Sequence, residues 1–328
     1  MPTISVVIPV FNASQFLEET LISVFNQTYK DFEIIVVDDG STDDTNVILS
    51  PYLDKISYIY QKNQGPAIAR NTGIKATKGE WIAFLDSDDI WVSTKLEEHV
   101  NHIKDNPSIN FLFSDAMLFD GKAILKTTMM NRTNSVQIGS LAEKLRGLKE
   151  NDGTLLKCDL FDQLVRLNNP IITSSVVVRK HCLEEVKCFN EKMCQWSEDS
   201  ELWIRLSRKQ AMHYVNKSLL KYRYNPSGVS GTNNNRKYRY DFGDAMGLDL
   251  NYLIFPANYL QKTKKRIVKL YFNAIWGFFR EKQYDYVIRA CLRTLRYNLI
   301  QPKVVLYLLI AYIKNLLKRD SNCLKKLN

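Results

Sequence analysis

The chain has 328 residues, with 45 Lys+Arg against 35 Asp+Glu for a formal net charge of +10, and is 45% hydrophobic and 24% charged. That is ordinary globular usage, which excludes a disordered chain, a collagen-like repeat and a polytopic membrane protein. At about 150 residues per domain the length points to roughly two units. The charge is uneven. Residues 258–328 hold 16 basic and 3 acidic residues (+13), leaving 29 basic and 32 acidic (−3) for 1–257. A near-neutral body with a basic tail is expected to meet something anionic through that tail. The first residues show no basic segment followed by a cleavable apolar stretch, so the expected setting is a reducing cytoplasm with free thiols. Cys182, Cys188 and Cys194, beside His181, are spaced too widely for the Cys pairs of a zinc site.

In chain order, Val- and Ile-rich runs read as buried strands: Ile4–Ile8, Glu33–Val37, Ile56–Tyr60, Trp81–Leu85 and Asn110–Phe113. Segments of helical period lie between them: Phe16–Phe25, Asp43–Leu49, Pro66–Ala76 and Thr94–Lys104. Strands alternating with helices predict a mainly parallel, Rossmann-like α/β sheet flanked by helices, with ligands beyond the carboxyl ends of the strands. Further on, helical stretches are expected at Ser140–Leu148 and Leu155–Leu167. A strand follows at Ile171–Arg179, then a short helix, a loop to Ser197 and a helix over Asp199–Arg208. Residues 223–235, rich in Gly, Asn and Ser, read as a loop or domain edge, and everything after about 240 as helices.

Polar groups cluster after the strands. Pro9, Val10, Phe11 and Asn12 follow the first, and Asp38 and Asp39 the second. Gly65 opens the third helix, which carries Arg70 and Asn71, and Asp86, Ser87 and Asp88 follow the fourth strand. Alternate carboxylates at a strand end suit a hard divalent cation, since Mg²⁺ and Mn²⁺ prefer oxygen donors and substrate phosphates. They also suit a solvated turn. Asp39 fits either a turn or an acceptor for the imide N–H of a uracil ring. Phe11 fits either core or a stacking face, and Arg70 either a surface ion pair or a phosphate contact. Far along the chain, Glu198 and Asp199 follow Ser197. They fit either acidic residues in a capped first helical turn or a base that takes a proton from an acceptor hydroxyl.

Taken together, ISVVIPVFN, VVDDGSTDDT, GPAIARNTGI, GEWIAFLDSDD and SEDSELWIRL, in that order, resemble the family 2 glycosyltransferases of the GT-A fold, over about residues 1–225. The resemblance implies inverting transfer from a nucleotide-diphosphate sugar, usually UDP-linked, with Mn²⁺ or Mg²⁺. It implies a nucleotide-sugar half (about 1–110) and an acceptor half (111–225). Pro9, Phe11 and Asp39 would hold the nucleoside with Arg70 near it, and Asp86 and Asp88 would form the metal–diphosphate motif, Asp88 the more direct ligand. Asp199 would be the base, with Glu198 positioning it or the acceptor. In many relatives a His follows the Tyr-Arg pair; here Asn225 stands near that place, which puts a protein ligand from this loop in doubt.

The loop and basic helical extension, 226–328, are expected to be all-helical. Ile288, Leu292, Leu295 and Leu299 read as an apolar stripe beside a basic stripe of Arg289, Arg293 and Arg296. Val304–Ile313 is uncharged between Lys303 and Lys314, but ten residues cannot cross a bilayer, which needs roughly 20. The tail is expected either to lie on the anionic inner face of the plasma membrane or to pack on the catalytic body. The leading reading is a cytoplasmic, membrane-associated sugar transferase in cell-surface polysaccharide synthesis of the O-antigen or capsule type, with a saccharide or lipid-linked acceptor. Two alternatives are a sugar-phosphate nucleotidyltransferase, which has no evident need for Asp199, and a basic nucleic-acid-binding protein. The second is disfavoured because no sheet motif interleaves aromatics with Lys/Arg, so no nucleic-acid partner is expected. An inactive scaffold is disfavoured because both carboxylate centres are intact.

Overall fold

The computed structural model describes residues 3–126, 152–158, 160–161, 164, 169–193, 198–224, 257–297 and 302–324. The expected helix at Ser140–Leu148, Cys194, the candidate cap Ser197, and Asn225 with the rest of its loop lie outside these residues. The chain forms two compact units, Met1–Asn225 and Pro226–Asn328.

The first unit begins with four parallel strands: β1 (Ile4–Val10), β2 (Phe32–Asp38), β3 (Ser57–Tyr60) and β4 (Trp81–Phe84). Crossover helices α1 (Leu17–Phe25), α2 (Thr45–Leu49) and α3 (Pro66–Ala76) join them. β1 lies between β2 and β4 and is buried on both faces, which is why its sequence is a nearly unbroken β-branched run. α3 packs tightly against β1 at Gly73, where a Cβ would sit 2.4 Å from Val7 Cγ1.

Beyond β4 the sheet changes character. β5 (Ile90–Trp91), α4 (Lys95–Asp105), β6 (Phe111–Phe119), β7 (Ile124–Lys126) and β8 (Leu155–Cys158) come next. A 3-10 turn (Thr173–Ser175), β9 (Val177–Arg179), α5 (Lys180–Glu185), α6 (Glu198–Lys209) and β10 (Met212–Arg223) complete the unit. The ten-stranded sheet runs β3-β2-β1-β4-β9-β6-β10-β5, with β7 on β6 and β8 on β10. β9 inserts antiparallel between β4 and β6, while β10 runs parallel to β6 and antiparallel to β5 and β8.

The sheet is therefore mixed rather than mainly parallel. The parallel expectation holds for the first four strands and fails where short antiparallel segments fill the gap between β4 and β6. The expected helix over Leu155–Leu167 opens instead as β8, because pairing with β10 overrides local helical preference. The expected strand Ile171–Arg179 becomes a 3-10 turn followed by the shorter β9.

The second unit contains α7 (Ala257–Arg280), α8 (Tyr284–Tyr297) and α9 (Pro302–Leu324). Neighbouring helices pack through Phe278 stacked on Tyr286 and Phe279 edge-on to Tyr307. The buried face of α8 is Val287, Ala290, Cys291 and Thr294; of the apolar stripe, Ile288 and Leu295 are half-buried and Leu292 faces out with Arg289 and Arg296. Among the described residues no helix is long and apolar enough to cross a membrane.

Candidate active site

The carboxyl ends of β1 and β2 are tied together. Asp39 N–H donates to the Val10 carbonyl at 2.8 Å, and Asn12, at φ +49°, accepts Thr42 N–H at 2.8 Å. Val10 is thus core with a structural carbonyl, and Pro9 is half-buried beside it. Phe11 is 50% exposed, so its ring is surface rather than core. The Asp39 carboxylate accepts the Gln61 side-chain amide at 2.6 Å, Gln64 N–H at 2.9 Å and Gly65 N–H at 2.7 Å. It therefore holds the loop that starts α3. Gly65 has φ +92°, a region that costs a side-chain-bearing residue free energy, and Pro66 takes the first helical position.

α3 then points Arg70 inward. Its Nη2 lies 2.7 Å from Asp86 Oδ1 and its Nη1 2.7 Å from Glu198 Oε1, with its guanidinium 5.4 Å from the centre of the Phe189 ring. In place of a surface ion pair, Arg70 forms a buried bridge between the two acidic clusters. The two amino nitrogens of a planar guanidinium are about 2.3 Å apart, so the bridged carboxylate oxygens lie within about 8 Å of each other. The Asn71 side chain pins Phe189, whose ring lies beside Arg70, through both N–H and carbonyl, at 2.9 Å each.

The loop after β4 is fixed from several sides. Thr20 Oγ1 donates to the Ser87 carbonyl at 3.0 Å, which makes Ser87 a backbone anchor. The fully buried Ser174 accepts Asp86 N–H at 3.0 Å and donates its own proton to Asp89 Oδ2 at 2.6 Å. Arg223, at the end of β10, donates Nε to the Asp88 carbonyl at 2.7 Å and its backbone N–H to Asp89 Oδ1 at 3.0 Å. Its guanidinium sits between Phe16 and Phe119, 4.5 and 4.4 Å from their centres, and pairs with Glu19 at 2.6 Å. Asp89 is thus consumed by structure, and Asp86 gives one oxygen to Arg70. No side chain among the described residues donates to the Asp88 carboxylate, which is pushed up to about 6 by burial and by neighbouring Asp86.

Among the described residues there is no group of three or more acidic, His or Cys side chains that would enclose a cation. The donor set nonetheless fits the way Mg²⁺ and Mn²⁺ are often held, by one or two carboxylates with substrate phosphates and water completing the shell. Asp88 and Asp86 are the residues that could hold such an ion.

On the other side, Asp199 sits in the first turn of α6. Ser200 N–H donates to its Oδ1 at 2.6 Å; Asn169 Nδ2 at 3.2 Å and Thr173 Oγ1 at 3.4 Å approach its Oδ2. Burial and neighbouring Glu198 push its carboxyl up to about 6, opposed by the Ser200 N–H and by Arg70. A carboxylate of that strength is still about nine-tenths ionised at pH 7 and a better proton acceptor than an ordinary aspartate.

The Thr173–Ser175 turn and Arg223 were not anticipated as site residues. The turn is braced from behind by Trp91 Nε1 on the Ser174 carbonyl (2.8 Å) and by the fully buried Lys95 Nζ on the Ser175 carbonyl (2.9 Å). Burial brings Lys95 down to about 7. A polar Thr-Ser-Ser run inside an apolar stretch was the available signal for the turn. Arg223 gave none beyond its place in the Tyr-Arg pair.

A mixed sheet whose parallel half carries a carboxylate loop at one strand end, with a second acidic pair facing it, is the GT-A type of glycosyltransferase architecture. S. aureus TarS residues 1–349 in complex with UDP has the same fold, at TM-score 0.62 and 19% identity, over 95% of this chain and 87% of that one. Residues 5–146 match the family model described as "Glycosyl transferase family 2". An uncharacterized glycosyltransferase of Rickettsia conorii is 34% identical over 222 residues, 67% of this chain but 32% of the relative, so the chain spans about a third of that protein. The GalNAc(5)-diNAcBac-PP-undecaprenol beta-1,3-glucosyltransferase of Campylobacter jejuni is 26% identical over 331 residues, 98% of this chain and 97% of the relative. The matched region, residues 5–146, is a glycosyl transferase family 2 region.

Proposed function

We propose that the chain is an inverting glycosyltransferase that moves a sugar from a nucleotide-diphosphate sugar, first of all a UDP-sugar, to a hydroxyl of a saccharide or lipid-linked acceptor during cell-surface polysaccharide synthesis. The observation that carries this reading is Arg70, whose one guanidinium joins the donor-side Asp86 to the acceptor-side Glu198. Two carboxylate centres in one network is the arrangement a single displacement needs, with one at the leaving group and one at the nucleophile. UDP is favoured by TarS, solved with UDP and with UDP-GlcNAc. The acceptor class is favoured by the lipid-linked substrate in the name of the Campylobacter relative and by a putative teichuronic acid biosynthesis glycosyltransferase of Bacillus subtilis, 27% identical over 236 residues.

On this reading the acceptor hydroxyl gives its proton to Asp199 as its oxygen bonds to the anomeric carbon, while the bond from that carbon to the diphosphate oxygen breaks with inversion. Asp199, near pKa 6, takes that proton as the hydroxyl becomes acidic, help typically worth about 10²–10⁴-fold. Glu198 stays paired with Arg70 and fixes the first turn of α6, and therefore the direction of Asp199. Asp88, assisted by Asp86, would hold the Mg²⁺ or Mn²⁺ ion, which when bound neutralises charge on the departing diphosphate. The exposed Phe11 ring offers a stacking face to the nucleobase, and Asp39 orders the loop beside it.

A thermal-shift and hydrolysis screen of UDP-, GDP- and dTDP-sugars, with and without Mn²⁺, tests this. A metal-dependent response to one nucleotide class is expected. Turnover of a nucleoside triphosphate with a sugar phosphate, and none of a nucleotide sugar, would replace it with nucleotidyl transfer.

A further inference from the structure

Three observations in the second unit converge. The uncharged run on α9 is split by the structure into two faces. Val304 and Ala311 are buried, whereas Val305, Leu306, Leu309, Tyr312 and Ile313 are 41–59% exposed. At 3.6 residues per turn those five lie on one continuous arc of the helix, opposite the face that carries Tyr307 into the packing against α7. An outward apolar face of five large side chains within nine residues of one helix is not ordinary surface composition.

The second observation is charge. Lys303 and Lys314 are exposed and stand just before and just after this apolar run in sequence, both to one side of the arc, and residues 258–328 carry +13 in total. The third is on α8, where Arg289 and Arg296 are exposed with the half-exposed Leu292. That is an outward mixture of basic and apolar groups.

We infer that the exposed face of α9, flanked by Lys303 and Lys314, is a docking surface for an anionic lipid bilayer, with the helix lying in the interface plane. A span is ruled out for α9 itself, whose apolar run is interrupted by Lys314 and followed by Lys318 and Arg319. Apolar side chains entering the acyl boundary, with lysines reaching to acidic headgroups, is the arrangement by which amphipathic helices bind membranes. A second copy of this chain is the weaker occupant, because it would set one strongly positive unit against another. Lipid phosphates complement that charge, and each Lys at such a surface is worth about a fivefold gain in binding. This inference does not depend on the proposed reaction.

The test is co-sedimentation of the full chain with vesicles of phosphatidylglycerol–phosphatidylcholine and of phosphatidylcholine alone, read without any sugar donor. Binding is expected only to the anionic vesicles and is expected to weaken with salt. The combined change Leu306→Ser, Leu309→Ser and Ile313→Ser should lower the partition coefficient at least about tenfold while leaving the thermal midpoint unchanged. Lys303→Gln with Lys314→Gln should lower it about 30-fold on anionic vesicles. Failure of the wild type to sediment with anionic vesicles would overturn the inference, as would serine variants that bind like the wild type. If light scattering shows a dimer that the serine changes convert to a monomer, the face is a contact between copies and the lipid assignment is wrong.

Discussion

Replacing Arg70 with Met removes the cation from between two carboxylates and leaves the apolar part of the side chain against Phe189. The Arg70 and Glu198 side chains are only 6% and 9% exposed, so that pair cannot be rehydrated without opening the structure. Asp86 is 31% exposed and recovers part of its loss from water. Breaking a buried ion pair by removing one partner typically costs about 3–5 kcal/mol, and the wet Asp86 limb places this case toward the lower end. For a unit of this size that corresponds to a fall of roughly 6–15 °C in the melting midpoint, from about 2–4 °C per kcal/mol. Circular-dichroism melts at pH 7 read it directly. Arg70→Lys should fall between wild type and Arg70→Met, because one ammonium lacks the fork that spans both acids. Adding Glu198→Gln to Arg70→Met should recover part of the loss, since it removes the stranded charge. A midpoint within about 3 °C of wild type for Arg70→Met, or no recovery in the double variant, would refute the bridge.

Other consequences are equally specific. Asp88→Asn should abolish the metal-dependent part of donor binding in a thermal-shift titration with Mn²⁺ while leaving the midpoint without metal near that of wild type. Ser174→Ala strips a fully buried partner from Asp89, so it should cost about 1–3 kcal/mol in a urea melt. Folding raises Asp199 from the usual carboxylate range to about 6, so between roughly pH 4 and 6 the folded state holds a proton that the unfolded chain has released. Its contribution to stability is therefore full below pH 4 and is lost as pH rises through 6. Asp199→Asn should flatten the stability–pH slope in that window, and the acid limb of the wild-type transfer rate should fall near pH 6.

The first, parallel half of the sheet was legible because its physics is local. β1, β2, β4 and α3 announce themselves by β-branched runs and by Gly-Pro at a helix start, and their bounds differ from the expected ones by no more than two residues. The carboxylate clusters were visible as well, since Asp86 and Asp88 follow a strand and Asp199 stands where a helix begins. The partners of Arg70 were not visible. Its contact with Glu198 joins positions 128 apart in sequence, and nothing in the periodicity of α3 says which way that side chain turns. β10 was missed because Asn216, Lys217 and Ser218 interrupt its apolar pattern, at the place where its register against β6 shifts. With it went the clamp role of Arg223. β9 lies inside the expected strand Ile171–Arg179, but its shorter span and antiparallel direction are set only by its neighbours β4 and β6.

In the proposed reaction Asp199 acts on the acceptor while a distinct group of acids serves the donor. The direct measurement is the transfer rate of Asp199→Asn at pH 7.5 beside its affinity for UDP. The rate should drop by about 10²–10⁴ with UDP affinity essentially unchanged; a rate within about tenfold of wild type, or a matching collapse in UDP binding, would contradict the assignment.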